Sequence, residues 1–291
     1  MQGMNLERVQ TLKFPTVRQS YDSRDAILYA LSLGYGDDPM DRGQLQYVYE
    51  KNQKAVPSQC VVLGSMGPWM QSPALGIDFL RLLHGEHSYE IHRPLRPADT
   101  VLAEQQIEAV VDKGVGKGVL VYVRKELHTE MGERLATVRQ TLFLRGDGGC
   151  GSFGTAPMLA IAEPTAGAAT LSVTLETLPQ LALIYRLNGD TNPLHADPEV
   201  AARAGFERPI LMGLCTMGLA TRAALQGLCD DVPERLVAMS VRFSRPVVPG
   251  ETLRFDFTPV SANEFMFSGH SLQRGVAVLE RCHLRIQSDG P

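Results

Sequence analysis

Hydrophobic and polar residues alternate in several stretches of the chain, and this alternation predicts β-strands. In the first half the alternating stretches are residues 86–92, 101–111, 118–129 and 134–145. In the second half they are residues 236–243, 252–260, 264–272 and 276–286. Successive side chains of a strand point to opposite faces, so each set is expected to form a sheet with one buried face.

Helical spacing of apolar residues predicts a short helix at residues 24–33, another helix that ends near Leu187, and a longer one at residues 214–228. A long apolar helix beside a run of antiparallel strands makes an α+β unit, in which the helix covers one face of the sheet. The order of elements is similar in the two halves, so the chain is predicted to contain two such units.

Residues 61–83, VVLGSMGPWMQSPALGIDFLRLL, are apolar but are interrupted by glycine and proline at Gly64, Gly67, Pro68, Pro73 and Gly76. An interior glycine costs a helix about 1 kcal/mol and an interior proline about 3 kcal/mol. A continuous helix is therefore not expected here. The space that such a helix would fill in the first half is expected to stay partly open.

Two short patterns occur twice in the same order. The sequence AILYAL precedes a Gly-Asp pair at 36–37, and ALIYRL precedes a Gly-Asp pair at 189–190. Further along, PADTV at 97–101 corresponds to PGETL at 249–253, each shortly after an Arg-Pro pair, at an offset of 152 residues (249 − 97). A repeat of this length indicates two whole domains rather than a solenoid, whose units are shorter.

The repeat predicts a first domain at 1–150 and a second at 171–291. A linker is predicted at 151–170, where Gly, Ala, Thr and Pro replace periodic apolar residues. The total of 291 residues is enough for two ordinary domains, and 44% hydrophobic with 21% charged residues is typical of a globular protein.

The overall charge excludes some classes of partner. A net charge of −4 and a pI near 6.0 argue against nucleic-acid binding, because phosphate binding needs concentrated positive charge. The sequence has no apolar run of about 18 residues, and MQGMNLERVQ lacks the apolar core of a secretory signal, so no membrane partner is expected. The C-terminal QSDGP differs from the peroxisomal S-K-L address. We therefore expect a cytoplasmic protein.

The cysteines are scattered and odd in number, and they form no C-x-x-C pair. They are Cys60, Cys150, Cys215, Cys229 and Cys282. Neither a disulfide framework nor a metal site is indicated, so we expect reduced thiols. Cys215 begins an apolar helix and is expected to be a small core residue rather than a nucleophile.

The candidate chemistry lies in residues 185–215, YRLNGDTNPLHADPEVAARAGFERPILMGLC. Asp190, Asn192 and His195 bring a carboxylate, an amide and an imidazole into one short stretch. Pro193 keeps Asn192 out of the helical region, so these side chains are expected on a loop rather than on one helix face. A loop that presents Asp and His together can hold one water molecule between two bases.

Turn residues set the limits of this loop. Gly189 permits a sharp turn before the acid, and Pro198 fits the first turn of the next helix after Asp197 as its N-cap. A purely structural interpretation also exists, because Asn-Gly and Asn-Pro pairs mark turns and Asp and Asn cap their own backbones.

The order of residues in the whole stretch favours the chemical interpretation. The ordered residues are Tyr185, Gly189, Asp190, Asn192, Pro193, Leu194, His195, Ala201 and the turn Gly213-Leu214-Cys215. In this order the chain resembles the signature of the MaoC-like dehydratases, and in particular of the type 2, (R)-specific enoyl-CoA hydratases. The resemblance covers most of the chain, because residues 21–34 and 145–151 look like that family's N-terminal half.

The resemblance implies an α+β double hotdog fold, in which two fused hotdog domains each combine an antiparallel sheet with a covering helix. It implies a catalytic second domain and a degenerate first domain that makes room for bulky acyl chains and the CoA arm. Residues 38–41 read DPMD and supply neither the asparagine nor the histidine of the motif. The implied activity is reversible hydration of trans-2-enoyl-CoA to (R)-3-hydroxyacyl-CoA, by a homodimer that needs no cofactor and no metal.

Each motif residue has an expected role in this reaction. Hydration needs an activated water at C3, a proton at C2 and stabilisation of an enolate-like oxygen. Asp190 and His195 are expected to bind the water and relay its protons, which is worth typically ~10²–10⁴ in rate and predicts syn addition. Gly213 precedes an apolar helix, so its amide can face the oxygen, as the resemblance also implies. Asn192 is expected to hold the water or the loop.

Alternative functions remain open on the sequence. A 3-hydroxyacyl-[acyl-carrier-protein] dehydratase has the same chemistry and differs in the carrier. A hotdog thioesterase binds the same thioesters but attacks the carbonyl carbon. A non-catalytic thioester-binding subunit would keep the turn residues but has no use for the imidazole of His195.

Overall fold

Within residues 3–157 and 170–287, which a computed structural model describes, ten β-strands form one antiparallel sheet. The strands are β1 (Val17–Tyr21), β2 (Leu82–Ile91), β3 (Asp99–Asp112), β4 (Val119–Thr129), β5 (Arg134–Leu144), β6 (Leu171–Glu176), β7 (Leu236–Arg242), β8 (Thr252–Pro259), β9 (Glu264–Ser271) and β10 (Val276–Ile286). Their order across the sheet is β1-β3-β4-β5-β2-β7-β10-β9-β8-β6. The eight strands predicted from alternation are confirmed, with small shifts at their ends.

The two halves of the chain meet at the centre of this sheet. Strands β1–β5 form one side, β6–β10 form the other, and β2 pairs with β7 from Glu86↔Arg242 to Glu90↔Ala238. One buried apolar cluster contains residues of both halves. The linker predicted at 151–170 falls largely on residues 158–169, which lie outside the described residues, so the division into domains there stays a prediction.

Short helices surround one long helix. The helices are α1 (Leu6–Gln10), α2 (Ser23–Leu31), α3 (Arg42–Val48), α4 (Leu181–Tyr185), α5 (Pro198–Arg203) and α6 (Gly213–Leu228). The long helix α6 is buried from Cys215 to Leu225 because apolar and small residues occupy most of its circumference, with Arg222 as the buried charged residue. It packs against β6, β7 and the 3-10 turn Pro57–Val61. The helix predicted at 214–228 is confirmed.

The inner face of the first half is covered by 3-10 turns and by α6. Residues 61–83 contain 3-10 turns at Trp69–Gln71, Pro73–Leu75 and Phe79–Arg81 and no α-helix, as their glycines and prolines predict. A cavity of about 320 Å³ lies under this segment, and Val17, Met66 and Trp69 are among its lining residues. The expectation that the space of a filling helix in the first half is partly open stays a prediction.

Candidate active site

The motif residues lie on a loop between α4 and α5, as predicted. A 3-10 turn at Arg186–Asn188 follows α4, and Gly189 then takes a left-handed φ of +108°, which a side chain would disfavour. A second 3-10 turn occupies Pro193–His195. Asp197 caps α5 through bonds from the first-turn amides, with Pro198 in the first turn. The sequence-based limits of the loop are confirmed.

Asp190 and Asn192 shape the loop through their own side chains. Asp190 Oδ1 accepts a hydrogen bond from the Asn192 amide at 3.1 Å, and Asn192 Oδ1 accepts one from the Leu194 amide at 3.1 Å. Asn192 has φ −58° and ψ 119°, outside the helical region, because Pro193 follows it. The second oxygen of Asp190 has no protein hydrogen-bond partner in the described parts of the chain and is available to a ligand.

The ring of His195 is buried and held in one orientation. Its side chain is 9% exposed, and Nδ1 lies 2.8 Å from the carbonyl oxygen of Ile210. A carbonyl oxygen only accepts hydrogen bonds, so Nδ1 carries the hydrogen and the neutral ring has a free lone pair on Nε2. Ile210 lies three residues before Gly213. This bond therefore ties the motif loop to the segment that leads into α6.

Gly213 is the first residue of α6. Met212, the N-cap residue, has no polar side chain and makes no capping bond, and the Gly213 amide has no protein acceptor among the described residues. The first amides of a helix carry partial positive charge and bind anionic oxygen. A Cβ at Gly213 would lie 3.1 Å from Cε1 of Phe243, so a side chain here requires the Phe243 ring to move.

The first half of the chain contacts the motif loop through a hydrogen bond at Asn188. Asn188 Nδ2 donates hydrogen bonds to Ser32 Oγ at 3.0 Å and to the Tyr185 carbonyl at 2.9 Å. The Ser32 carbonyl lies 3.6 Å from Cys215 Sγ, so the end of α2 contacts both the loop and α6. Neither Asn188 nor Ser32 was predicted from the sequence, since these bonds depend on how the two halves pack.

The position in the first half that corresponds to Asp190 has a structural partner. Arg222 of α6 is 3% exposed, and it donates to Asp37 Oδ2 at 2.7 Å, to Gln44 Oε1 at 3.0 Å and to the Leu33 carbonyl at 3.2 Å. The guanidinium also stacks over the Tyr35 ring, 5.2 Å from its centroid. In the first half, the loop that carries Asp37 therefore binds the guanidinium group of Arg222 in α6.

Cys215 lies in the core, as predicted, and so do the methionines near the site. Cys215 is 0% exposed, and burial raises the pKa of its thiol well above the usual value, which excludes a reactive thiolate. Met212, Met217 and Met239 are also fully buried.

No group of three or more side chains able to hold a metal ion occurs in the described residues. No helix of these residues is long and apolar enough to cross a membrane.

Two protein-family models match the chain, one in each half. Residues 19–146 match the MFE-2 hydratase 2 N-terminal domain, and residues 160–280 match the MaoC like domain. Together they account for both sides of the sheet, and the second match contains the whole candidate site.

Individual proteins match over most of their length. Peroxisomal enoyl-CoA hydratase 2 of Arabidopsis thaliana is 37% identical over 258 residues, which cover 83% of this chain and 82% of that protein. A crystal structure of a MaoC-like dehydratase from Phytophthora capsici superimposes with a TM-score of 0.85 at 30% identity, over 98% of this chain and 100% of the other. A Mycobacterium tuberculosis protein described as a double hotdog fold has a TM-score of 0.60 at 14% identity, over 94% and 96%.

Proposed function

The chain belongs to the MaoC-like, enoyl-CoA hydratase 2 family, and from that premise we propose that it adds water to trans-2-enoyl-CoA thioesters to form (R)-3-hydroxyacyl-CoA. The enzyme is a hydro-lyase with a double hotdog fold, and it also runs in reverse as a 3-hydroxyacyl-CoA dehydratase. The observation that carries the proposal is the bond from His195 Nδ1 to the Ile210 carbonyl. It leaves Nε2 free as a base beside the uncapped start of α6.

In the proposed reaction the two bases share one water. Nε2 of His195 accepts a proton from the water as its oxygen forms a bond to C3. The π electrons of the C2–C3 bond move toward the thioester carbonyl. C2 then takes a proton from the His195 imidazolium, which returns to its neutral form. The Asp190 carboxylate orients the water and stabilises the imidazolium that forms. Addition of O and H from one side gives the syn product.

The developing negative charge is placed on the thioester oxygen. We assign its stabilisation to the Gly213 amide and to the positive end of α6, which have no competing side-chain cap. Asn192 holds the loop, because its side-chain oxygen accepts from the Leu194 amide, and its NH2 group can still donate to the water. No step requires a cofactor.

The acyl chain is proposed to extend under residues 61–83. The cavity of about 320 Å³ supports this assignment, because Met66, Trp69 and Leu75 of this segment line it and the segment forms 3-10 turns rather than an α-helix. Medium and long enoyl chains are therefore expected to react at least as well as the four-carbon chain.

The test is a chain-length series of trans-2-enoyl-CoAs, assayed for loss of the enoyl thioester absorbance and for product configuration. We expect (R) products and no decline in kcat/KM from four to ten carbons. Absence of hydration would leave only a binding role, and release of free CoA thiol would identify a thioesterase. A large preference for enoyl-carrier-protein over enoyl-CoA would assign the alternative carrier, and (S) products would place the water on the other face of the substrate.

We also propose a cytoplasmic homodimer. The unpaired cysteines support a reducing compartment, and Leu183 and Leu187, 53% and 61% exposed one turn apart, offer an apolar surface to a second copy. The name of the Arabidopsis relative assigns that protein to the peroxisome. Light scattering would measure the mass in solution, and imaging of the tagged chain would separate the two compartments.

A further inference from the structure

A lysine lies buried on the inner face of the first half without a negative partner. Lys125 of β4 is 7% exposed, and its Nζ donates to the carbonyl oxygens of Val61 at 3.1 Å and Leu63 at 2.5 Å. No carboxylate lies within ion-pair distance of it among the described residues. Buried charges are normally paired, and burial lowers the pKa of Lys125 to about 8. Lys125 therefore has two carbonyl acceptors but no carboxylate to balance its charge.

Other polar groups beside Lys125 also have free hydrogen-bonding capacity. Gln105 is its cross-strand neighbour on β3, and Nε2 of Gln105 is buried without a partner. His87 of β2 is 4% exposed, and its Nε2 likewise has no partner, while Nδ1 lies 2.9 Å from His84 Nε2. Leaving such groups unpaired costs about 1–3 kcal/mol each, so a polar ligand is favoured here.

This polar cluster lies next to the cavity. Val17 lines the cavity and belongs to the strand row Val17–Ala103–Leu127. The row Gln105–Lys125 is one inward-facing step away, about 7 Å along the strands. Leu63, whose carbonyl Lys125 binds, is followed within three residues by Met66, which also lines the cavity.

A line of side chains connects the cluster to the reacting centre. A Cβ at Gly213 would touch the Phe243 ring, whose centroid is 5.1 Å from that of His84, and His84 is bonded to His87. Charge on Lys125 in turn affects the titration of His87. These contacts link the surroundings of Gly213 to those of Lys125 through side chains that carry polar atoms.

Strand geometry gives the length of this route. Lys125, Val138, Tyr89 and Met239 are paired in one row across β4, β5, β2 and β7, and Phe243 lies four residues beyond Met239. Three strand spacings and four residue rises put the α-carbons of Lys125 and Phe243 about 20 Å apart. A medium-length acyl chain and the extended lysine side chain together span this distance.

We propose that Lys125, Gln105 and His87 bind a carboxylate at the far end of the substrate's acyl chain, so that the enzyme prefers mono-CoA thioesters of unsaturated dicarboxylic acids. The proposal rests on the proposed hydration at Asp190 and His195 and adds the class of acyl group. Lys125 supplies the charge, Gln105 an amide donor and His87 a ring nitrogen that adapts its tautomer.

The test compares two substrates of equal length, trans-2-decenoyl-CoA and its ω-carboxylated counterpart trans-2-decenedioyl-CoA. Hydrogen bonds to a charged group predict a preference for the carboxylated substrate of about 10- to 100-fold in kcat/KM. In Lys125→Met, which keeps the side-chain length, the preference is expected to disappear while the uncharged substrate reacts as well as before or better. Lys51→Met, at an exposed lysine, is the matched control and should keep the wild-type preference.

The outcomes separate this inference from the proposed function. Hydration of both substrates at equal rates would overturn the carboxylate site alone, whereas no hydration of either would overturn the proposed function. An equal preference for the ω-methyl ester would show that polarity and not charge is recognised, and would also overturn the proposal. Thermal unfolding of Lys125→Met shows whether the variant is folded.

The pH dependence of the wild type gives a second measurement that needs no variant. The titratable groups facing Lys125 are His87, whose pKa burial lowers, and Cys60, whose pKa burial raises to about 12, so neither changes charge between pH 7 and 9. The preference in kcat/KM should therefore fall as the pH rises through about 8 and Lys125 loses its proton. A preference that stays constant from pH 7 to 9.5 contradicts the assignment.

Discussion

The side chain of His195 has one nitrogen engaged and one available. Its Nδ1 is bonded to the Ile210 carbonyl, so His195→Gln removes the free base without opening a large hole. Asp190→Asn keeps the acceptor for the Asn192 amide and removes the charge. Each variant is expected to lose at least ~10²-fold in kcat for hydration while remaining folded, the scale for removing a positioned acid or base.

The control is His270→Gln, because His270 of β9 is bonded to Ser268 on the other side of the second half. It should keep the wild-type rate. Rates near wild type in both Asp190→Asn and His195→Gln, with unfolding curves unchanged, would remove these residues from the mechanism.

Gly213 tests the stabilisation of the thioester oxygen. In Gly213→Ala the new methyl would lie 3.1 Å from the Phe243 ring, so the amide or the ring must move. We expect a loss of about 10²-fold in kcat, as for loss of one oxyanion donor. Adding Phe243→Leu relieves the contact and should restore part of kcat. An unchanged kcat in Gly213→Ala would exclude a role for close approach at this glycine.

At the scale of elements, α6 is attached to the loops at its start and again in its second half. The bond from His195 to Ile210 holds its start, and Arg222, nine residues into the helix and about 14 Å away, holds the first half. Gly34 has φ +80°, and a Cβ there would lie 2.7 Å from Arg222 Nη1. The loop of the first half that carries Asp37 thus holds the helix whose start carries the candidate oxyanion donor.

Removal of this anchor should be costly. Arg222→Met leaves the Leu33 carbonyl without its side-chain donor and removes one of the two donors to Gln44 Oε1, which keeps the Gly36 amide. The variant is expected to lower the free energy of unfolding by about 3 kcal/mol in urea titrations. Asp37→Asn should cost under about 1 kcal/mol, because the Asp37 side chain is 56% exposed. Equal effects of the two substitutions on the free energy of unfolding would contradict the expectation that the buried acceptors of Arg222 contribute more to stability than the Asp37 carboxylate.

The central strands and α6 were predictable because their periodicity is strong, and β10 was predicted at its observed limits. The edge strands β1 and β6 were missed, since they have only five and six residues and such short stretches give a weak periodic signal. The loop of Asp190 and His195 was predictable from Gly189 and Pro193. The contacts of Ile210, Phe243 and Lys125 were not, because they join residues far apart in sequence.

At the scale of the whole molecule, buried histidines make stability sensitive to mild acid. Burial lowers the pKa of His84 to about 4 and that of His87 well below 6.5, so the unfolded chain binds protons first. Their stabilising contribution is complete above about pH 6.5 and is lost as the pH falls toward 4. His283 shifts in the same direction.

Urea titrations at pH 7, 6 and 5 should therefore show a free energy of unfolding that decreases as the pH is lowered. These pH values lie above the range in which most carboxylates titrate. His87→Gln should reduce the slope, and His270→Gln should not. A flat profile between pH 7 and 5 in the wild type would contradict the burial of the histidine pair.

The pairing of β2 with β7 also has a consequence for synthesis on the ribosome. The last strand of the first half ends at Leu144, but β7, which pairs with β2, is complete only at Arg242, 98 residues later (242 − 144). At typical translation speeds the edge of β2 stays open for roughly 5 to 20 s. An open strand edge can pair with other nascent chains. Until β7 emerges, the edge of β2 is therefore open to such pairing, and a pause in translation between these strands is expected to lower the yield of native protein.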